Sequence, residues 1–578
     1  MIASEAAQGS EPYDVIIVGA GGSGAPLAAR LTEDGKRRVL LLEAGRDFST
    51  TEAFPFEIRY SGAIGGALPG NPNNWTFLGH LTSELAYPVP RGKVIGGSTS
   101  INGTGFQRPR RTDFDRWVEA GNPEWSYDKV LPYLIRLERD LDYGDSEIHG
   151  SDGPMPVSRG ATELHPVTQA FYGACAELGF PKEDDKNGEQ TLGYGPMPRN
   201  ASDGLRYNTA ITYLNPIRSR TALKIEAETL VTRVVFDGTT ATGVEVDDGR
   251  VILGREIVLC AGTLKTPHIL LLSGIGPRDE LERQGVIVVM DLPGVGKNMM
   301  DHPDVEITWR PRGKLASKNQ QDSFQGVLNL TATGSPYEGD LEIIPTIKPI
   351  AAMLLAREES GLSAFAKFVA RLPEAVRSLK GANIRRMVQQ GARRNDLFVV
   401  AALQQEEARG RVMLSSADPR DSPHIEYHYM TEESDRRRMR QVVRTAAAIL
   451  KSEAFRPIYR RMTELSPRIL KDDNLLDGWI RGHLAPTFHA TSTCRMGPDA
   501  DHDAVVDQRG RVRGVKGLRI ADISICPTIP TRGPANTAVL IGERMADFIR
   551  EDADSQTVSA GAVGAGAGSP TISGVSDS

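Results

Sequence analysis

The apolar pattern of the chain opens on one well-marked unit. Val15-Ile16-Ile17-Val18 is an apolar β-branched run, short enough for a buried parallel strand. The alanine-rich stretch Ala25 to Leu31 suits a helix, and a second apolar run, Val39 to Leu42, ends in Glu43. The pattern predicts β-α-β. Further along, ETLVTRVVF (Glu228 to Phe236) and LEIIPTI (Leu341 to Ile347) read as strands. Ala408 to Met430 reads as strands with Pro turns, and Asp435 to Lys451 as a polar helix. Residues 46–84 read as irregular, with Gly and Pro clusters, and Trp75 sits among them. Beyond Asp552 the chain is rich in Gly, Ala, Ser and Val without periodicity, so 553–578 is expected to be a disordered tail. No internal repeat is visible.

The turn between the first strand and helix carries the first chemistry. Gly19-Ala20-Gly21-Gly22-Ser23-Gly24 is a G-x-G-x-x-G turn, and Glu43 lies about 20 residues beyond it, as in dinucleotide-binding units. Gly19 permits the tight turn, Gly21 lets backbone approach a pyrophosphate, and Gly24 lets helix and strand pack closely. The helix N-terminus offers free N–H groups and partial positive charge to phosphates. Glu43 is placed to accept hydrogen bonds from a ribose diol. The motif alone leaves FAD and NAD both open.

Composition narrows the class. A net charge of −6 on 578 residues argues against a nucleic-acid partner. Cys175, Cys260, Cys494 and Cys526 are scattered, without CxxC spacing, and read as reduced, mostly buried thiols. No metal cluster, secretory signal or membrane-spanning run is visible, which suggests a cytoplasmic protein. The helix-suited segment 351–394 carries nine cations against three anions, a net +6. Phe365, Phe368, Val369, Leu372 and Val376 recur there at helical spacing. Such a segment can cover the neighbouring domain as a solvated helix. It can also make peripheral contact with an anionic membrane on its inner face, or dock a partner.

A dense Gly/Ser/Thr block from Pro90 to Gly105 contains RGKVIGGSTSING, and Asp113-Phe114-Asp115-Arg116-Trp117 follows. This block resembles the first signature of the glucose–methanol–choline (GMC) flavoprotein oxidoreductases. Cys260 to Pro267, continuing to Pro277, resembles the second. LPGVGKNMMDHP (Leu292 to Pro303), HATSTCRMG (His489 to Gly497), GLRIADISICP (Gly517 to Pro527) and IGERMADFI (Ile541 to Ile549) extend the resemblance in the family's order. It implies FAD rather than NAD. It also implies an α/β fold, with a Rossmann-like FAD domain beside a second, α+β substrate domain built on an antiparallel sheet. The implied FAD domain is discontinuous, comprising 11–155, 222–310 and 484–552; the substrate domain comprises 156–221 and 311–483.

Carried over residue by residue, the resemblance puts Gly19, Gly21, Ser23 and Gly24 at the pyrophosphate, with Glu43 and the adjoining Ala44 at the adenosine ribose. Trp75, Arg91, Gly97, Ser98, Asn102, Gly103 and Thr104 are implied to line the flavin and its ribityl chain. Val231 and Ala261 fall at the adenine, and Ala521, Asp522 and Ile523 at the ribityl–phosphate region. Some members attach the flavin through a His just before the Asn of the first signature; Ile101 stands there, which implies non-covalent FAD. HGSDGPMPV (His149 to Val157) and GLRYNTAITYL (Gly204 to Leu214) resemble the family's excursions into its substrate domain, and Arg206 and Tyr207 read as structural.

A base must take a hydroxyl proton while hydride leaves carbon for flavin N5. His489 enters a Gly/Thr/Ser/Cys loop rather than a helix face, and the family's catalytic His occupies this place. His80 and His302 read as structural. The family's second catalytic position, an Asn or His, falls on Gly533; Asn536 is the nearest suitable side chain, and Arg532 could help stabilise an alkoxide or a reduced flavin.

The implied activity is oxidation of a small-molecule alcohol, with oxygen, a quinone or a redox carrier as acceptor. The loop PTRGPANTAVLIGE also resembles that of the mycofactocin-associated dehydrogenases of the family, which would reoxidise a reduced peptide-derived cofactor and feed the respiratory chain. Rivals are a non-redox, hydroxynitrile lyase-like protein and a non-catalytic FAD-binding partner.

Overall fold

The computed structural model describes residues 11–160, 163–189, 192–313, 315, 322–349, 352–353 and 396–565. All of the basic segment 351–394 except Ala352 and Met353 lies outside the described residues. Strand β1 (Tyr13–Val18), helix α1 (Gly24–Leu31) and strand β2 (Val39–Leu42) form the expected unit. Their apolar runs are buried because the sheet is covered on both faces. β1 pairs in parallel with β2 on one side and with Val251–Leu259 on the other. Leu223–Glu226 pairs in parallel with β2, and Leu518–Ile520 with Val251–Leu259. The C-terminal segment is thereby brought into the N-terminal sheet. The strands Val231–Asp237 and Thr240–Val246 complete it as an antiparallel flank.

A second seven-stranded sheet is antiparallel throughout and builds its own hydrophobic core. Its central strands are Pro303–Pro311, Leu397–Leu403 and Leu341–Pro345. The helix Glu433–Leu450 covers it, burying Met439, Val442, Val443, Ala446 and Ala447. A four-stranded sheet lies between the two cores, formed by Arg411–Met413, His424–Glu426, Asn74–His80 and Ala86–Gly92.

Two expectations need correction. The stretch 46–84 is not irregular throughout: Asn74–His80 is a strand, paired residue for residue with Ala86–Gly92. The flanking Asn, Pro and Gly masked a run whose partner lies just beyond a tight turn. The last helix spans Ala535–Ala565, so order does not end at Asp552. Alanine supports helix without needing an apolar stripe. Among the described residues no helix is long and apolar enough to cross a membrane.

Candidate active site

A cavity of about 620 Å³ runs from the end of β1, between the sheets, to the antiparallel domain. Its inner end is a glycine cradle. Gly19 has φ +105°, and a Cβ there would lie 2.5 Å from the Cys260 carbonyl oxygen. Gly97 has φ +53°, and a Cβ there would lie 2.7 Å from the Gly21 Cα. The two glycine-rich loops therefore touch through bare backbone.

Most of the residues expected at FAD meet on this wall. Gly19, Gly21, Ser23, Glu43, Ala44, Trp75, Arg91, Gly97, Ser98, Asn102, Gly103, Val231, Ala261, Asp522 and Ile523 all line the cavity, whereas Gly24, Thr104 and Ala521 do not. Gly24 serves packing: a Cβ there would strike the Gly19 carbonyl oxygen.

The two acids of the cradle are held by the chain itself. Glu43 accepts from Ala20 N–H (2.9 Å) and Gly45 N–H (2.8 Å), and burial still pushes its carboxyl up to about 7. Asp522 accepts from Gly262 N–H (2.8 Å), Thr266 Oγ1 (2.6 Å) and Ser524 N–H (2.8 Å). It thus ties the C-terminal segment to the N-terminus of the helix Gly262–Leu272. Ile101 stands on the cavity wall where the family's covalent His would be.

His489 marks the other end. Leu484–Pro486 pairs antiparallel with the start of Pro303–Pro311, and the pairing continues through Thr487 N–H to the His302 carbonyl (3.0 Å) and Thr491 N–H to the Met300 carbonyl (2.8 Å). This register sets the Asp301-His302 pair beside Thr487 to His489. The loop is bent tightly: Phe488 (φ 64°) and Ser492 (φ 71°) both sit in the left-handed region that side chains disfavour. Asp301 Oδ1 accepts the His489 backbone N–H at 2.7 Å. His489 Nδ1 is 3.0 Å from His302 Nδ1 and 2.9 Å from Thr487 Oγ1, and the two rings meet edge to face at 86°. Burial, with His302 and Arg91 as further causes, holds His489 well below the ordinary histidine range, so its imidazole is neutral at pH 7.

Where the resemblance puts a second catalytic side chain, the wall is bare backbone. Gly533 lines the cavity, and a Cβ there would lie 3.2 Å from both Cε1 and Nε2 of His489. Asn536 does not reach this point; it is fully buried in the first turn of the last helix, off the cavity wall. Arg532 does not reach it either: fully buried behind the wall, it donates to Asn329 Oδ1 and faces Glu342 and Glu183. A gapless count from Ile541 reaches Gly533, whereas a preference for a functional side chain reaches Asn536; of the two, only Gly533 lies on the cavity wall. Arg206 is buried and donates to the carbonyls of Ile58, Ala63 and Ser100, a structural role.

Sequence reasoning missed the groups that hold His489, the Asp301 carboxylate on its backbone N–H and the His302 ring on its Nδ1. His302 and Asp301 lie in the matched LPGVGKNMMDHP segment, but nothing local shows that strand pairing brings them to residue 489. The chamber floor beyond them comes from the antiparallel sheet, with Asp304, Glu306, Glu342, Phe398 and Val400 on the cavity side. Elsewhere, His149 lies 2.7 Å from Glu138, 3.2 Å from Asp140 and 2.8 Å from Asp185. Arg108 and Arg159 already engage those carboxylates, so the group is a closed ion cluster.

The comparisons agree with this geometry. The N-terminal and C-terminal family models of GMC oxidoreductase match residues 13–304 and 406–542. A GMC-type oxidoreductase in the thcA 5′ region of Rhodococcus erythropolis is 36% identical over 545 residues, covering 93% of this chain and 98% of that one. The mitochondrial choline dehydrogenase of Mus musculus is 34% identical over 556 residues, covering 94% and 90%. Among solved structures, pyridoxine 4-oxidase from Mesorbium loti superposes with a TM-score of 0.80 at 27% identity, covering 93% and 99%. With the dinucleotide cradle, the flavin-side loop and the histidine loop all in the family's order, the chain belongs to the GMC oxidoreductases, FAD-binding enzymes that act on alcohol-type substrates.

Proposed function

We propose that this chain oxidises an alcohol to a carbonyl compound with His489 Nε2 as the general base. The observation that carries the reading is a neutral imidazole on the cavity wall, its Nδ1 side engaged by His302 and Thr487 and its Nε2 side facing the space left by Gly533. FAD, when bound along the glycine cradle, supplies the two-electron acceptor. The alcohol O–H bond breaks with its proton passing to Nε2, and the C–H electron pair leaves carbon as hydride while the C=O bond forms. Asp301 and Thr487 hold the loop in register for that transfer. A positioned base is worth about 10²–10⁴-fold in rate.

The acceptor that returns the cofactor to its oxidised state is other than NAD: oxygen, a quinone or a redox carrier. The FAD is held non-covalently, since Ile101 offers no nucleophile; denatured holoprotein should release all of its flavin to the supernatant.

The test is anaerobic. Choline and pyridoxine, for which similar proteins are named, are mixed with purified holoprotein and flavin absorbance is followed; the reduced protein is then exposed to air or to a soluble quinone. Bleaching by an alcohol supports the reading, and the faster reoxidant names the acceptor class. Flavin that no alcohol in a broad panel bleaches, together with cyanohydrin cleavage, would replace the reading with a lyase.

A further inference from the structure

Resting on the assignment of His489 as base, we propose that His302 is a positioning residue that fixes the tautomer of His489, keeping the proton on Nδ1 and the lone pair on Nε2, where the substrate hydroxyl arrives.

The argument runs along a chain of hydrogen bonds with a fixed end. His302 Nε2 lies 3.0 Å from the carbonyl oxygen of Pro530, and the Gln404 carbonyl also bears on the ring. A carbonyl oxygen only accepts, so His302 carries its proton on Nε2. His302 is fully buried, and burial lowers its pKa to about 3, so it is neutral and holds that one proton alone. Its Nδ1 is then a bare lone pair. That lone pair faces His489 Nδ1 at 3.0 Å. Two lone pairs at this distance repel, so His489 Nδ1 must donate, and the neutral His489 ring has its lone pair on Nε2. Thr487 fits the same scheme: its hydroxyl donates to the His302 carbonyl (3.1 Å) and turns its own lone pair to His489 Nδ1–H (2.9 Å).

The other charged groups around His489 do not set this choice. Asp301 engages the backbone N–H of His489, not its ring. Arg91, from the strand Ala86–Gly92, donates to the Pro90 carbonyl, and as a nearby cation it disfavours the charged ring without choosing between its two neutral tautomers. Gly533 brings no side-chain donor to Nε2. The Thr487 hydroxyl can turn to suit either tautomer, so the direction of the base is decided by the His302 imidazole, which a backbone carbonyl anchors. When Nε2 takes the substrate proton, the same Nδ1–H···Nδ1 bond becomes a charge-assisted one and stabilises the imidazolium.

The test reads tautomers directly. Two-bond ¹H–¹⁵N correlation spectra are recorded on the ¹⁵N-histidine-labelled holoprotein near neutral pH. The His489 signals are identified by their loss in His489→Gln, and those of His302 by their loss in His302→Gln. The expected result is His489 protonated on Nδ1 and His302 on Nε2. In His302→Gln, whose amide offers one acceptor and one donor, His489 keeps the Nδ1–H form. In His302→Leu it loses that form. Flavin reduction by choline or pyridoxine, whichever bleaches the wild type, then slows by roughly 10²-fold or more, because a base in the wrong tautomer forfeits its contribution. If His302→Leu does not fold, the wild-type and His302→Gln spectra decide. Wild-type His489 protonated on Nε2, or an unchanged tautomer in folded His302→Leu, overturns the proposal. A His489→Ala variant that reduces its flavin at the wild-type rate would instead remove the base assignment and leave the tautomer result standing.

Discussion

His149 and the His302–His489 pair are both buried histidine centres, and their surroundings drive them to opposite states. Three carboxylates, Glu138, Asp140 and Asp185, surround His149; against burial they raise its pKa to about 10, and the ring is a cation. With Arg108 and Arg159 the cluster contains three cations and three anions, all spoken for. Among the described residues no carboxylate bonds the ring nitrogens of His302 or His489; their partners are backbone carbonyls, a hydroxyl and each other, and burial keeps both neutral. Burial alone opposes charge in both places. The partner set decides whether a histidine becomes a structural cation or a free base, and only the second can accept a substrate proton.

The largest expected effect separates catalysis from folding. His489→Ala should slow anaerobic flavin reduction by about 10²–10⁴-fold while leaving FAD content unchanged. His149→Leu should do the reverse. It strands buried carboxylates, a change that typically costs about 3–5 kcal/mol; a lowered thermal midpoint with normal flavin reduction in the surviving holoprotein is the result to look for.

Gly533→Leu comes next. Its Cβ would begin 3.2 Å from His489 Cε1 and Nε2. We expect weakened alcohol binding and slower reduction, with the thermal midpoint nearly unchanged because the side chain enters the cavity; stopped-flow traces over a range of substrate concentrations would show it.

The pH dependence of stability distinguishes the two centres by sign. The folded pKa of His149 is raised from 6.5 to about 10, so its contribution is complete below pH 6.5 and fades as pH rises through 10. His302 is lowered from 6.5 to about 3, so its contribution is complete above 6.5 and fades as pH falls towards 3. Urea titrations at a series of pH values should show His149→Gln losing the alkaline slope and His302→Gln losing part of the acid slope. The smallest effect expected is from Glu43→Gln. Its oxygens are already shared with Ala20 and Gly45 N–H, so FAD affinity should fall only modestly, as flavin release on dilution would measure.

The cradle end of the site was legible in the sequence because its signals are local. A glycine spacing, a short apolar run and one acid define it within about thirty residues, and nearly every residue named for it lines the cavity. The histidine end was legible only at His489. Its supporting groups come from segments near 91, 301, 487 and 533, and no local pattern marks strand pairing across such separations. Asn536 attracted notice for its side chain, yet helix geometry turns it into the core, and the residue that faces His489 on the cavity wall is the bare Gly533. The strand Asn74–His80 escaped because its flanks look like loop, while its register comes from the neighbouring hairpin strand.

The central claim is that His489 is a neutral base acting on a bound alcohol, and rapid-mixing reduction of the enzyme-bound flavin tests it most directly. Wild-type and His489→Ala holoproteins, matched for FAD content, are mixed anaerobically with the alcohol that bleaches the wild type. The account predicts full flavin occupancy in both and a rate at least about 10²-fold lower in the variant. Equal rates would contradict it.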